Sequence, residues 1–234
     1  MTAFSETEAL RVVASHLKGW LDDVVFVGGA VTPLLITDPA AYAIRPTDDV
    51  DVIVEVTTRR RYEELENELR KRGFRHDTSD GAPICRWLLG SITVDVMPTD
   101  PDILGFSNRW YIYALRTASA HLLDENLTIR LISSVAFLAT KIEAFRSPHR
   151  RFGGDFRASH DLEDVLTLLD GRPELDREIA EADPEVRYYL SDAFEGFLNE
   201  PRFLDALPGH LEPGPANTTR ARMVLERLNR LSSL

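Results

Sequence analysis

The chain has 234 residues, 44% of them hydrophobic and 28% charged, a length and composition that allow one large or two small domains around buried cores. Its 27 Lys and Arg stand against 38 Asp and Glu, a net charge of -11, which argues against tracking long nucleic acid by general electrostatic attraction. Cys85 is the only cysteine, which excludes a disulfide framework and a cysteine-based zinc site.

The first residues, Met1-Thr2-Ala3-Phe4-Ser5-Glu6, have neither the basic nor the apolar region of a signal peptide. No apolar run approaches bilayer length, so the chain reads as cytoplasmic with no membrane partner. Ser5-Glu6-Thr7-Glu8 fits a capping box, and Leu10, Val13, Leu17 and Leu21 follow at helical spacing. Val24 to Val27 predicts a short apolar strand, then Gly28-Gly29, then one or two helical turns from Ala30 to Ile36. Pro39 and Pro46 mark the next stretch as a loop. A strand is expected from Asp49 to Val56, followed by a charged helix capped by Thr57 or Thr58 and ending near Arg72, with Gly73 as its C′ residue.

Pro83 to Leu89 and Ser91 to Met97 read as two strands around Gly90, and Trp110 to Leu115 and Leu127 to Leu131 as two more. From Ser133 the pattern becomes helical. Val135, Leu138, Ile142 and Phe145 form a stripe that stops before Pro148. A basic, glycine-containing loop follows from Arg146 to Arg157, and then Ser159 caps a helix that carries Leu162, Val165, Leu166 and Leu169 and ends at Gly171. Pro173 and Pro184 suit first-turn positions, the latter after Asp183 as N-cap. The remainder is helical, broken by a Pro/Gly-rich linker from Pro208 to Pro215. The expected fold class is α+β, with domains at 1–131 and 132–234, the second all-helical.

Chemistry concentrates in Thr47-Asp48-Asp49-Val50-Asp51-Val52-Ile53-Val54. Successive strand side chains point to opposite faces, so Asp49 and Asp51 share a face and Asp48 points away. Adjacent carboxylates resist joint ionisation unless a cation lies between them, and Mg²⁺ is a hard ion that takes carboxylate oxygens. The alternative is a solvated acidic turn leading into a strand. Gly28-Gly29 after a strand lets backbone approach a phosphate at a helix N-terminus, or simply makes a tight turn. Asp95, on the polar positions of an otherwise apolar strand, needs a partner: a hydrogen bond to a nearby turn, or a shared metal with Asp49 and Asp51.

The combination of strand-Gly-Gly-helix, Asp-x-Asp opening a strand and a lone aspartate in a later strand resembles the nucleotidyltransferase superfamily of polymerase-β-like enzymes. That resemblance implies a mixed-sheet nucleotidyltransferase core with flanking helices. It implies that Gly28 and Gly29 hold a nucleoside triphosphate, and that Asp49, Asp51 and Asp95 bind two Mg²⁺ ions. One departure is Ala30, which leaves no serine hydroxyl beside the turn; Thr32 is the substitute. Lys141 on one helix, the basic loop, and Ser159-His160-Asp161-Leu162-Glu163-Asp164 at a helix start resemble the AbiEii-type toxin nucleotidyltransferases. By that resemblance Lys141 contacts the nucleotide phosphates and Asp161 orients Lys141 or a base. It covers about residues 23 to 170.

The implied reaction is transfer of a nucleoside monophosphate to a hydroxyl acceptor with release of pyrophosphate. The acceptor is tRNA or protein for a toxin-antitoxin enzyme with an antitoxin partner, or a small molecule for an antibiotic-type enzyme. A non-catalytic nucleotide- or partner-binding module on the same fold is the competing class. Individual residues carry plainer alternatives. Lys141 can lie along an apolar stripe with its ammonium in water, and Asp161 and Glu163 suit any first helical turn. His160 reads as a helix-start residue. Arg146, Arg150, Arg151 and Arg157 form either a phosphate patch or a solvated loop. Arg59-Arg60-Arg61, followed by Glu63, Glu64, Glu66 and Glu68, reads as a salt-bridged surface helix, and Trp87 and Trp110 as core.

Overall fold

A computed structural model describes residues 5–41, 45–56, 58–148, 150, 152–211 and 213–234. Ser5 caps α1 (Glu6–His16), its hydroxyl accepting from the Glu8 amide while Glu8 accepts from the Ser5 amide, and Leu10, Val13 and Ala14 are buried. β1 (Val24–Val27) is buried throughout, as a central strand requires. A 3₁₀ turn (Gly29–Val31) leads to α2 (Thr32–Leu35).

β2 (Asp49–Val54) alternates half-buried aspartates with buried valines before becoming wholly apolar. Thr58 caps α3 (Arg59–Lys71), which buries Tyr62, Leu65 and Leu69; Thr57, the other expected cap, lies outside the described residues. Its exposed face carries the Arg60–Glu64 ion pair among others, as its charge pattern predicts. Then come β3 (Arg75–His76), β4 (Arg86–Leu89) and β5 (Ile92–Pro98), with α4 (Pro101–Leu104), α5 (Tyr111–Thr117), β6 (Ser119–Asp124) and β7 (Leu127–Leu131) after them.

The seven strands form one mixed sheet in the order β3-β4-β5-β2-β1-β7-β6. The β2–β5 and β1–β7 pairs are parallel, and the other four antiparallel. Trp87 and Trp110 are core residues, as expected.

Three local expectations need correction. Trp110 to Leu115, expected as a strand, lies in and beside helix α5. Its Tyr-Ile-Tyr start suits a strand by propensity, but burial of Ala114 and Leu115 on one face of the helix overrides that preference. The strand expected from Pro83 begins at Arg86, because the Arg86 amide closes a turn onto the Pro83 carbonyl. Pro173 precedes α8 instead of opening it.

The contacts divide the chain into two compact units. One comprises Met1–Val31 and Arg45–Ser133, the other Thr32–Ile44 and Ser134–Leu234. Together they make an α+β chain in which a mixed sheet with helices is followed in sequence by helices alone.

The second unit is built on α6 (Ser134–Arg146), which is apolar almost all round and buried accordingly. Against it pack α7 (His160–Gly171), α8 (Leu175–Ala180) and α9 (Pro184–Leu198), with α10 (Pro201–Ala206) and α11 (Asn217–Leu231) completing the unit. Ser159 caps α7 through the Leu162 amide, and Pro184 opens α9, although the Asp183 side chain makes no capping bond. Phe145, Phe156, Phe197 and Phe203 form a contiguous aromatic cluster, with Phe197 and Phe203 stacked at 5.0 Å. No helix among the described residues is long and apolar enough to cross a membrane.

Candidate metal centre

The sheet register builds this site. β2 and β5 run parallel with Asp51 opposite Asp95, and β4 runs antiparallel to β5 with Arg86 opposite Asp95. Residues directly opposite in a sheet share a face, so Asp51, Asp95 and Arg86 form one cross-strand row. Asp49, two residues before Asp51, joins the same face. Carboxylate oxygens of Asp49, Asp51 and Asp95 lie within 4.8 Å of one another, a group able to hold a metal ion. Three hard oxygen donors from different side chains, all on one face, fit Mg²⁺. Asp48 is exposed and lies just before β2, outside the cluster.

Asp49 and Asp95 are held by neighbours. The Thr47 hydroxyl donates to Asp49 Oδ1 at 2.8 Å. Arg86 clasps Asp95 through both Nε–Oδ1 and Nη2–Oδ2, each 2.8 Å, and Nη2 also reaches Asp49 Oδ2 at 3.4 Å. The hydrogen-bonded Asp95 carboxylate raises the Arg86 pKa above its ordinary value, so the guanidinium is a fixed positive charge. Burial, reinforced by Asp95 and then Asp51, pushes the neighbouring Cys85 thiol up to about 12. A thiol held neutral in this way is no nucleophile at ordinary pH.

Gly28 has a second reason to be glycine besides its turn. Its φ is +74°, in the left-handed region, and a Cβ added there would overlap the Asp51 carboxylate. Its open side is thus filled by an aspartate of the centre. Gly29 starts the 3₁₀ turn, and a Cβ there would come 3.3 Å from the Thr47 hydroxyl. Thr32 is fully buried, and its hydroxyl has no hydrogen-bond partner among the described residues.

The remaining expected residues lie in the helical unit. Lys141 on α6 is mostly buried, its ammonium 3.2 Å from Asp161 Oδ1 and 2.6 Å from Asp164 Oδ2 on α7. Arg150 adds a longer pairing to Asp161 at 3.6 Å. Lys141 is therefore engaged by two carboxylates and does not run into solvent. His160 is exposed and pairs with Glu163, as a helix-start residue does. Arg146 pairs with Asp192, and Arg157 is exposed; Arg151 lies outside the described residues.

Sequence reasoning missed Arg86, Thr47 and Asp164. Arg86 was within reach of a hairpin argument: around the Gly90-Ser91 turn, Leu89 pairs with Ile92, and counting three residues outward on each strand pairs Arg86 with Asp95. Asp164 carried a fainter signal, standing three residues after Asp161 on one helix face.

No protein-family model matches the chain, and no curated protein matches it. Among solved structures it is similar to the crystal structure of JHP933 from Helicobacter pylori, at 10% identity and a TM-score of 0.46, covering 97% of this chain and 92% of that one. So distant a likeness carries no argument about chemistry; the geometry of the centre does.

Proposed function

We propose that the protein is an Mg²⁺-dependent nucleotidyltransferase that transfers a nucleoside monophosphate from a nucleoside triphosphate to a hydroxyl acceptor and releases pyrophosphate. The observation that supports this reading best is the convergence of Asp49, Asp51 and Asp95 from two neighbouring parallel strands. Asp49 and Asp51 would hold both ions, and Asp95 the ion on the acceptor side. Bound there, the ions would neutralise phosphate charge and favour ionisation of the acceptor hydroxyl. The side chains supply the rest by position: Thr47 holds one Asp49 oxygen, and Arg86 sets the orientation of Asp95. Displacement at phosphorus requires alignment and charge neutralisation but no covalent protein nucleophile, consistent with the neutral Cys85 thiol.

Lys141, the basic loop after it and the helix start from Ser159 to Asp164 resemble the corresponding stretch of the AbiEii-type toxin nucleotidyltransferases. On that reading the acceptor is a tRNA or a protein, and an antitoxin would be the natural partner. The net charge of -11 favours an acceptor with a compact footprint over a long RNA.

The test is transfer from α-labelled nucleotides into a cell extract in the presence of Mg²⁺. Asp49→Asn and Asp51→Asn should each abolish labelling while the protein keeps its fold by circular dichroism. Asp48→Asn, at an exposed position outside the cluster, should retain it. Full labelling by either of the first two variants would refute the assignment. The labelled fraction, whether RNA, protein or small molecule, identifies the acceptor class.

A further inference from the structure

Arg86 occupies the face that the metal reading assigns to a divalent ion. Its Nη2 lies on Asp95 Oδ2 at 2.8 Å and on Asp49 Oδ2 at 3.4 Å, so one nitrogen bridges two of the three candidate ligands. The other oxygen of each is also taken, Asp49 Oδ1 by Thr47 and Asp95 Oδ1 by Arg86 Nε. This placement is not a chance rotamer: the antiparallel β4–β5 register sets Arg86 opposite Asp95, and the side chain is only 27% exposed. Three carboxylates and one guanidinium leave two negative charges, which one divalent ion balances.

The geometry points to Arg86 as a built-in counter-cation of the centre, one that a divalent ion must displace from Asp49 in order to load. In the metal-free protein Arg86 relieves the repulsion between Asp49 and Asp95. A carboxylate has about four lone-pair positions, so the Nε–Asp95 bond can persist while Nη2 gives up Asp49. Arg86 thereby keeps the centre folded when empty and weakens its affinity for free metal. Tight loading then falls to an ion that arrives with the negative charge of a triphosphate. This inference rests on the metal-binding reading above and adds to it a residue that sets the affinity.

The experiment is Mn²⁺ binding to the full chain, followed by the electron paramagnetic resonance of free Mn²⁺ without nucleotide. Wild type, Arg86→Met, Arg86→Lys and Asp51→Asn are compared, and thermal midpoints are recorded in chelator. Arg86→Met should bind Mn²⁺ roughly tenfold more tightly than wild type and melt lower in chelator. Arg86→Lys keeps the charge but lacks the planar fork that clasps Asp95, and should fall between the two. Binding by both variants that is equal to or weaker than wild type would overturn the proposal, since a residue that only supports the strand or orients Asp95 gives that result. If Arg86→Met fails to fold, Arg86→Lys decides alone: tighter binding supports displacement, and equal or weaker binding overturns it. Mn²⁺ binding that is absent from wild type and from both Arg86 variants, or unchanged in Asp51→Asn, would overturn the metal reading and this inference together. Loss of binding in Asp51→Asn with no gain in the Arg86 variants would overturn this inference alone.

Discussion

At Gly28, backbone and side-chain demands coincide. A φ of +74° costs an L-residue about 1 kcal/mol or more, and a methyl group there would also meet the Asp51 carboxylate. Gly28→Ala is therefore expected to lose at least about 2 kcal/mol in urea denaturation and to weaken Mn²⁺ binding by pushing Asp51 out of the row. Gly29→Ala should be the milder change, because its φ is not positive and its nearest neighbour is a threonine hydroxyl at 3.3 Å. Equal stability of Gly28→Ala and wild type would show that Asp51 does not fill that space. The same variant separates a glycine kept for an aspartate, whose loss weakens Mn²⁺ binding, from one kept for a phosphate, whose loss weakens nucleotide binding and leaves Mn²⁺ binding alone.

Between elements, Glu178 of α8 ties the start of α6 to the C-cap of α7. Its carboxylate accepts from Arg172 Nε and Nη2 at 2.8 and 2.7 Å and from the Ser134 hydroxyl at 2.6 Å. Burial alone would raise its pKa, but the hydrogen bonds from Arg172 and Ser134 outweigh burial and hold it below the usual 4.5. With the folded value below the unfolded one, the unfolded chain binds more protons in that window. The stabilisation is thus present above pH 4.5 and is lost as pH falls through the folded value. Glu178→Gln should cost about 1.5–3 kcal/mol near neutral pH, the range for hydrogen bonds to charged groups. The gap from wild type should close as denaturation curves are repeated below the folded pKa. A gap that is constant with pH would mean the variant acts through packing and not through this charge.

On the scale of the whole molecule, the chain enters its helical unit twice. After Val31 the segment Thr32–Ile44 groups with the C-terminal helices before the chain returns to the sheet at Arg45. Within that unit the amides of Thr37 and Asp38 both donate to the Gly171 carbonyl at 3.0 Å, and Arg172 donates to the Leu35 carbonyl at 2.6 Å. Gly171 also lies against the Ile36 side chain too closely to admit a Cβ without displacement. A fragment ending at residue 131 would keep this segment but strip it of every one of those partners. It should show a lower, less cooperative urea transition than the full chain and associate on size-exclusion chromatography. A fragment as stable and monodisperse as the full chain would show that those contacts contribute nothing.

How much of this was legible in the chain depends on the range of the interaction. The capping box at Ser5, the caps at Thr58 and Ser159, and the shared face of Asp49 and Asp51 depend on residues within a few positions, so local periodicity reveals them. The β4–β5 hairpin is nearly as local, and Arg86 could have been placed from it. Trp110 to Leu115 misleads for the opposite reason: a helix of seven residues has little intrinsic stability, and burial chose a state that composition did not. The pairing of β2 with β5 is non-local, crossing α3 and two other strands, and no local pattern specifies which strands become neighbours or in what register. By itself the sequence determined that three aspartates stand at polar positions of two apolar strands. Only the tertiary structure decided that they meet, with Arg86 already among them, because sheet order and register are set by burial over the whole unit.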